Sequence, residues 1–172
     1  TTLPNPPRAR YTGLMPTHTH LRRLDRIWIS RPAYFITVCT AGRKPILASQ
    51  EAANFLLREW QASTTRHGWL IGRYVIMPDH VHFFCTEQAE GAIRPLPRFM
   101  NKWKEWTAKG LCSELAVAAP LWQRGFFDHI LRSEESYAEK WAYVRDNPVR
   151  AGLVASWEEW PWQGFVDYDS PL

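Results

Sequence analysis

The stretch Tyr74-Val-Ile-Met-Pro-Asp-His-Val-His-Phe-Phe84 decides the fold that we predict for this chain of 172 residues. Apolar, β-branched and aromatic runs flank Pro78-Asp79, and this pattern predicts an antiparallel pair of strands joined by a tight turn. Because successive side chains of a strand point to opposite faces, His80 and His82 share one face, with Cα atoms roughly 6.6 Å apart. Three side chains then face an apolar layer behind them: Val81, Phe83 and Cys85.

The shared face of His80 and His82 allows two imidazoles to converge on a single ion. The pair opens its strand beside the turn, where a ligand can reach it. A His-x-His pair in an apolar strand is equally compatible with a purely structural role, so the spacing alone leaves both interpretations open. A second pair, His18-Thr-His20, has no strand-like flanks, and we interpret it as incidental.

The remaining segments predict the order β-α-β-β-α-β followed by a C-terminal helix. The predicted strands are 34–40, 69–77, 80–86 and 121–131, and the predicted helices are 51–67, 96–109 and 133–147. This order is typical of the ferredoxin-like split βαβ arrangement, an α+β fold with an antiparallel sheet and helices on one face. We predict a flexible arm at 1–20, a domain at 21–165, a small-residue loop at 111–120 and a tail at 166–172.

The composition favours a polyanionic partner. The formal net charge is +4, and six arginines oppose one aspartate in the first 31 residues. Ten tryptophans imply an aromatic core or stacking surfaces for bases. Three scattered cysteines, without a C-x-x-C, are typical of a cytoplasmic protein, and no apolar run approaches the ~20 residues that span a membrane.

The predicted C-terminal helix supplies the second set of candidate functional residues. Tyr137, Trp141 and Val144 share an apolar face, whereas Tyr143 and Asn147 are neighbours one turn apart on another face. A tyrosine and an amide presented together could serve as nucleophile and ligand. Packing of the tyrosine and helix termination by the asparagine before a proline remain open as alternatives.

Two separated motifs, in their order along the chain, resemble a known family. Met77-Pro-Asp-His-Val-His82 and Tyr143-Val-Arg-Asp-Asn-Pro-Val-Arg-Ala-Gly-Leu-Val154 closely resemble the two signatures of the REP-associated tyrosine transposases. These belong to the single-tyrosine branch of the HUH nucleases. The resemblance runs from Arg22-Arg23 through Trp122-Gln-Arg-Gly-Phe-Phe-Asp-His129 to Trp162.

The resemblance implies a role for each motif residue. In the family, two histidines bind a divalent ion, a tyrosine attacks DNA and a polar side chain one turn later completes the metal site. Here these residues match His80, His82, Tyr143 and Asn147, although insertion-sequence relatives more often carry Gln at the last position. The family precedent is Mg²⁺ or Mn²⁺, while two imidazoles alone would also suit Zn²⁺. The attack would give a 5′-phosphotyrosine and a free 3′-OH.

The resemblance also implies a single-stranded DNA hairpin, REP-like, with a guide tetranucleotide beside its foot. Stacking platforms for its bases could come from Trp103 and Trp106. Basic side chains in the arm, after the first strand and on the second helix are candidates for phosphate contacts: Arg22, Arg23, Arg26, Arg43, Lys44, Lys102 and Lys104. Such a protein would act in the cytoplasm, at the nucleoid, as a monomer or a dimer.

Three functions therefore remain open. The first is a site-specific nuclease and strand transferase of the transposase type. The second is a domesticated hairpin-binding protein without productive cleavage. The third is a metal-dependent hydrolase that uses His80 and His82 with water and leaves Tyr143 without a role.

Overall fold

A five-stranded antiparallel sheet forms the centre of the molecule. The computed structural model describes residues 32–88 and 95–170, apart from the side chain of residue 135. Its strands are β1 (Ala33–Cys39), β2 (Trp69–Met77), β3 (His80–Glu87), β4 (Phe127–Leu131) and β5 (Gln163–Phe165), in the spatial order β4-β1-β3-β2-β5. Every neighbouring pair is antiparallel, so the predicted α+β class and antiparallel sheet are confirmed.

Among the described residues, five α-helices connect and follow the strands. They are α1 (Gln50–Gln61), α2 (Ser63–His67), α3 (Leu96–Glu114), α4 (Glu134–Arg145) and α5 (Asn147–Arg150), with single 3₁₀ turns at Ala41–Arg43 and Trp157–Glu159. No helix within 32–88 and 95–170 is long and apolar enough to cross a membrane.

The helix ends follow local sequence signals. Ser49 caps α1 by accepting a hydrogen bond from the backbone N–H of Ala52, and Gly68 ends α2 in the left-handed conformation with a φ of 74°. Ser133 and Ser136 form a capping box at the start of α4.

One face of the sheet packs against α1 and α3. Val81, Phe83 and Cys85 are fully buried in this layer, as their alternation predicts. Trp60 of α1 stacks on Trp103 of α3 with ring centroids 6.0 Å apart, so several tryptophans belong to the core. This aromatic layer supports β3 from behind.

The opposite face packs against α4. Tyr137, Trp141 and Val144 are buried there with Phe84 of β3, whose ring centroid lies 4.4 Å from that of Tyr137. The predicted apolar face of the C-terminal helix therefore docks on the same side of the sheet as His80 and His82, because residues two apart in a strand share a face.

The second helix is longer than predicted. We predicted that it ends at Gly110, with a loop from residue 111, but α3 continues to Glu114. A Cβ on Gly110 would lie 2.0 Å from Cζ of Phe55 on α1, so this glycine allows two helices to approach closely. The predicted strand at 121–131 is also shorter, since β4 begins at Phe127 and Trp122 forms only an isolated bridge with Thr40.

The C-terminal segment adds a strand that the sequence did not predict. The indole N–H of Trp160 donates to the carbonyl of Ile76 over 3.0 Å, and β5 then pairs with β2. The carboxylate of Asp167 accepts from the backbone N–H of Ile71 over 2.7 Å, and Tyr168 is buried. The folded part thus extends beyond the boundary predicted at residue 165.

Candidate active site

His80 and His82 project together from the start of β3. Their ring centroids lie 4.6 Å apart, with the planes at 82° to each other. The rings are thus on one face, as the strand alternation predicts, and close enough to share one ion.

Each histidine is oriented through its Nδ1 atom. The Nδ1–H of His80 donates to the carboxylate of Asp79 over 2.6 Å. Nδ1 of His82 is 2.8 Å from the hydroxyl of Thr37, which lies directly opposite it on β1. With both Nδ1 atoms engaged, the Nε2 atoms are the ones left to bind a metal, and hydrogen bonds of this kind fix the tautomer and orientation of a ligating ring.

Both imidazoles are held in the neutral form that binds metals. Burial lowers the pKa of His82 to about 3, and the charges of His80, Arg43, Arg150 and Lys140 act in the same direction. Burial also lowers the pKa of His80, against the opposing effect of its hydrogen bond to Asp79. A neutral pair of imidazoles is poised for a divalent ion at ordinary pH.

Tyr143 lies on the exposed side of α4, with 61% of its surface accessible. A chain of contacts relates it to the histidines. The ammonium of Lys140 lies 5.8 Å from the ring centroid of Tyr143 and 5.2 Å from that of Phe35, and Phe35 stacks on His82 at 5.3 Å. The structure therefore brings the predicted nucleophile and the histidine pair to one side of the sheet.

Asn147 is the first residue of α5, and Asp146 lies between α4 and α5. Its side-chain oxygen accepts a hydrogen bond from Nη2 of Arg150. The same Nη2 donates to the backbone carbonyl of Tyr143 over 2.7 Å, and the guanidinium lies 4.1 Å above the ring centroid of Tyr143. Arg150 has no role among the sequence-based predictions, although it lies within the second motif, seven residues after Tyr143.

The donor set fits a divalent ion. Within 32–88 and 95–170, no three His, Cys, Asp or Glu side chains form a group that could hold a metal ion. The ligands that the resemblance implies are two imidazoles, from His80 and His82, and the amide oxygen of Asn147. Nitrogen and oxygen ligands of this kind suit Mn²⁺, and the amide together with phosphate oxygens suits Mg²⁺. These residues would hold the ion that the resemblance implies.

The candidate DNA-binding residues occupy different parts of the chain. Arg22, Arg23 and Arg26 lie outside the described residues. The guanidinium of Arg43 pairs with Asp79 over 2.8 Å, so it touches the carboxylate that orients His80, and Lys44 follows it at the surface.

The two lysines of α3 lie in the layer on the other side of the sheet from His80 and His82. Lys102 pairs with Glu105 over 2.9 Å, and Lys104 donates to the carbonyls of Gln123 and Gly125 over 2.7 and 2.5 Å. The structure does not bring them to the histidines, and their contact with DNA stays a prediction. Of the two proposed stacking platforms, Trp103 is buried in the core and Trp106 is exposed.

Comparisons with known proteins agree with this arrangement. The sequence model of the family described as "Transposase IS200 like" matches residues 29–147. A REP-associated tyrosine transposase of Escherichia coli K12 is 26% identical over 145 residues, which cover 81% of this chain and 80% of that protein.

A solved structure of a REP-associated tyrosine transposase bound to a REP hairpin has the same fold. It superposes with a TM-score of 0.64 at 23% identity, over 77% of this chain and 75% of that one. Because the family match spans more than half of the residues and includes His80, His82, Tyr143 and Asn147, the chain belongs to the IS200-like transposases, and its resemblance to the REP-associated tyrosine transposases is confirmed.

Proposed function

We propose that this protein is a metal-dependent nuclease and strand transferase that cuts single-stranded DNA at REP-like hairpins. The observation that carries the proposal is the neutral pair His80 and His82, held by Asp79 and Thr37, on the face of the sheet where α4 presents the exposed Tyr143. A purely structural histidine pair would not need an exposed tyrosine on the same side of the sheet.

The chain's own residues would perform the following chemistry. The hydroxyl oxygen of Tyr143 attacks the scissile phosphorus, a P–O bond forms to the tyrosine, and the bond from phosphorus to the 3′ oxygen breaks. The phenol proton leaves Tyr143, and the departing 3′ oxygen gains a proton to become a free 3′-OH. The 5′-phosphotyrosine keeps the bond energy for rejoining to another 3′-OH.

A divalent ion, Mg²⁺ or Mn²⁺, would be held by His80, His82 and Asn147 and would supply Lewis-acid polarisation of the phosphate. His80 and His82 offer neutral Nε2 atoms for it, and their Nδ1 partners keep the rings in place. Asn147 would contribute its amide oxygen, which now accepts from Arg150.

The partner we propose is a single-stranded, REP-like DNA hairpin with an adjacent guide tetranucleotide. The relative whose solved structure has this fold is bound to a REP hairpin. The positive charges of Arg43, Lys140 and Arg150 lie close enough to His82 to lower its pKa. A local positive field of this kind favours a phosphate backbone.

The decisive experiment is adduct formation with a labelled hairpin oligonucleotide and Mg²⁺, read on a denaturing gel. Wild type should give a denaturant-resistant protein–DNA adduct, and Tyr143→Phe should abolish it while leaving hairpin binding unchanged, because only the exposed hydroxyl is lost. Tyr137→Phe is the matched control, because Tyr137 lies on the same helix as Tyr143 but is buried against Phe84 of β3. This variant should still form the adduct.

His80→Ala should also stop cleavage, and excess Mn²⁺ should restore part of it, whereas no metal supplement should rescue Tyr143→Phe. Hairpin binding by wild type without any adduct would favour the domesticated binding protein instead. Cleavage that persists in Tyr143→Phe without an adduct would favour a hydrolase that uses water.

A further inference from the structure

Arg150 is the last residue of α5, the short helix that follows α4. Helix α4 ends at Arg145, two residues after Tyr143, and Pro148 follows without a backbone N–H. The last four carbonyls of an α-helix lack intrahelical donors, and a proline in the next turn removes one more possible donor. The turn that carries Tyr143 therefore needs a donor from elsewhere.

The guanidinium of Arg150 supplies that donor. Nη2 directs hydrogen bonds to the carbonyl of Tyr143, at 2.7 Å, and to the side-chain oxygen of Asn147. A cation at a helix C-terminus also interacts favourably with the helix dipole. One side chain thus joins the backbone of the proposed nucleophile to the side chain of the proposed third ligand.

The same group fixes the tyrosine ring. The guanidinium carbon lies 4.1 Å above the ring centroid of Tyr143, which is within the range of a cation–π contact. Tyr143 is otherwise exposed, so this stacking restricts a ring that solvent alone would leave free to change rotamer. Within 32–88 and 95–170, Nε and Nη1 of Arg150 have no hydrogen-bond partner.

We propose that Arg150 is a positioning residue that holds the Tyr143 ring and the Asn147 amide in a fixed relation to each other. The proposal rests on the function proposed above for Tyr143 and Asn147. Arg150 acts through these two residues, and the planar guanidinium is needed because it stacks on the ring and donates to two acceptors at once. A lysine ammonium is a point charge that cannot reproduce this geometry.

The test compares Arg150→Met, Arg150→Lys and wild type in single-turnover adduct formation at saturating hairpin with Mg²⁺. Misplacement of a reacting group by about 1 Å costs on the order of 100-fold in rate, so we expect a loss of about that size in Arg150→Met. Arg150→Lys should stay near the methionine variant, although it keeps the charge. The hairpin dissociation constant, measured without divalent ion, should change by no more than about threefold, because only the general attraction of one exposed positive charge for DNA is lost.

Arg145→Met is the matched control. Arg145 is the last residue of α4, and like Arg150 it lies over an aromatic ring, but that ring is Trp157, with the guanidinium 4.9 Å from its centroid, and its ion pair is with Asp146. This variant should keep the wild-type rate of adduct formation. Hydrogen exchange of the DNA-free protein should be faster at 143–147 in Arg150→Met and unchanged in the sheet.

The results that would overturn the proposal are distinct from those that would overturn the proposed function. Wild-type rates of adduct formation in both Arg150 variants would show that the contacts of Arg150 with Tyr143 and Asn147 are not needed. Full recovery by Arg150→Lys would show that charge alone matters, and loss of hairpin binding in parallel with rate would make Arg150 a DNA contact. An adduct that still forms in Tyr143→Phe would instead refute the assignment of the nucleophile.

Discussion

Thr37→Val tests whether the hydrogen bond behind His82 prepares the proposed metal site. The substitution keeps the β-branched shape that suits β1 and removes only the hydroxyl, which is 2.8 Å from Nδ1 of His82. His82 then loses the group that fixes its tautomer and ring orientation. We expect weaker metal binding by the DNA-free protein and slower adduct formation.

The magnitude follows from the kind of contact that is lost. A hydrogen bond contributes about 0.5–1.5 kcal/mol to stability, and since His82 is only partly buried, water can replace part of it. We therefore expect a loss of about 1 kcal/mol in the free energy of unfolding. Loss of a group that orients a ligating histidine typically weakens metal binding by about 10–100-fold, or about 1.4–2.7 kcal/mol. Thr37→Val should thus reduce the free energy of metal binding by more than it reduces the free energy of unfolding.

The assay is calorimetric titration of DNA-free protein with Mn²⁺, together with urea unfolding. Thr86→Val is the matched control, because the hydroxyl of Thr86 on β3 donates to the carbonyl of Pro32 over 3.1 Å, away from both histidines. Thr86→Val should lower the free energy of unfolding by about as much as Thr37→Val does and leave the affinity for Mn²⁺ unchanged. Wild-type affinity in Thr37→Val, or an equal loss in Thr86→Val, would refute the reasoning.

Three further predictions concern pH, the fold boundary and salt. Burial lowers the pKa of His82 to about 3, whereas the imidazole of the unfolded chain has a pKa of about 6.5, so the unfolded chain binds the proton more readily. In chelator-treated protein, the free energy of unfolding should therefore fall by up to ~1.4 kcal/mol per pH unit as the pH drops from about 6.5 toward 3. His82→Gln should flatten this pH dependence in urea titrations. Tyr168→Ala should lower the free energy of unfolding by about 3–5 kcal/mol, because the buried ring of Tyr168 fills the space above Gly72. As a control, Ser170→Ala changes an exposed residue and should alter the free energy of unfolding by no more than about 0.5 kcal/mol. Near-wild-type stability of Tyr168→Ala would mean that residues from 166 onward are a tail, as the sequence predicted. The logarithm of the hairpin binding constant should fall with the logarithm of the salt concentration, with a slope of about −0.7 per phosphate contact. Deletion of residues 1–31, which carry six arginines, should make this slope less steep. Equal affinity for blunt duplex DNA would indicate nonspecific binding.

Features set by short-range periodicity were predictable from the sequence. The period of two in a strand places His80 and His82 on one face, and the helical period separates the buried Tyr137 from the exposed Tyr143. The serine cap at Ser133 is likewise a local signal. Each of these depends on residues within about two turns or one strand, so the chain itself determines them whatever it packs against.

Features that join distant segments needed the tertiary structure. Thr37 reaches His82 only because the register of β1 and β3 places them opposite each other, 45 residues apart in the chain. Gly110 looked like a helix end, and its role appears only once Phe55 of α1 packs against it. The ammonium of Lys104 donates to the carbonyls of Gln123 and Gly125, in a loop that sequence reasoning could not place beside it.

The same division holds at the candidate active site. The motif that carries Tyr143 and Asn147 was readable because its residues and their spacing are local. The contact of Arg150 with the ring of Tyr143 was not, because it depends on where α4 ends, at Arg145, and on how α5 folds back over the tyrosine ring. Sequence periodicity determines which side chains share a face, whereas packing and backbone geometry decide which of them touch.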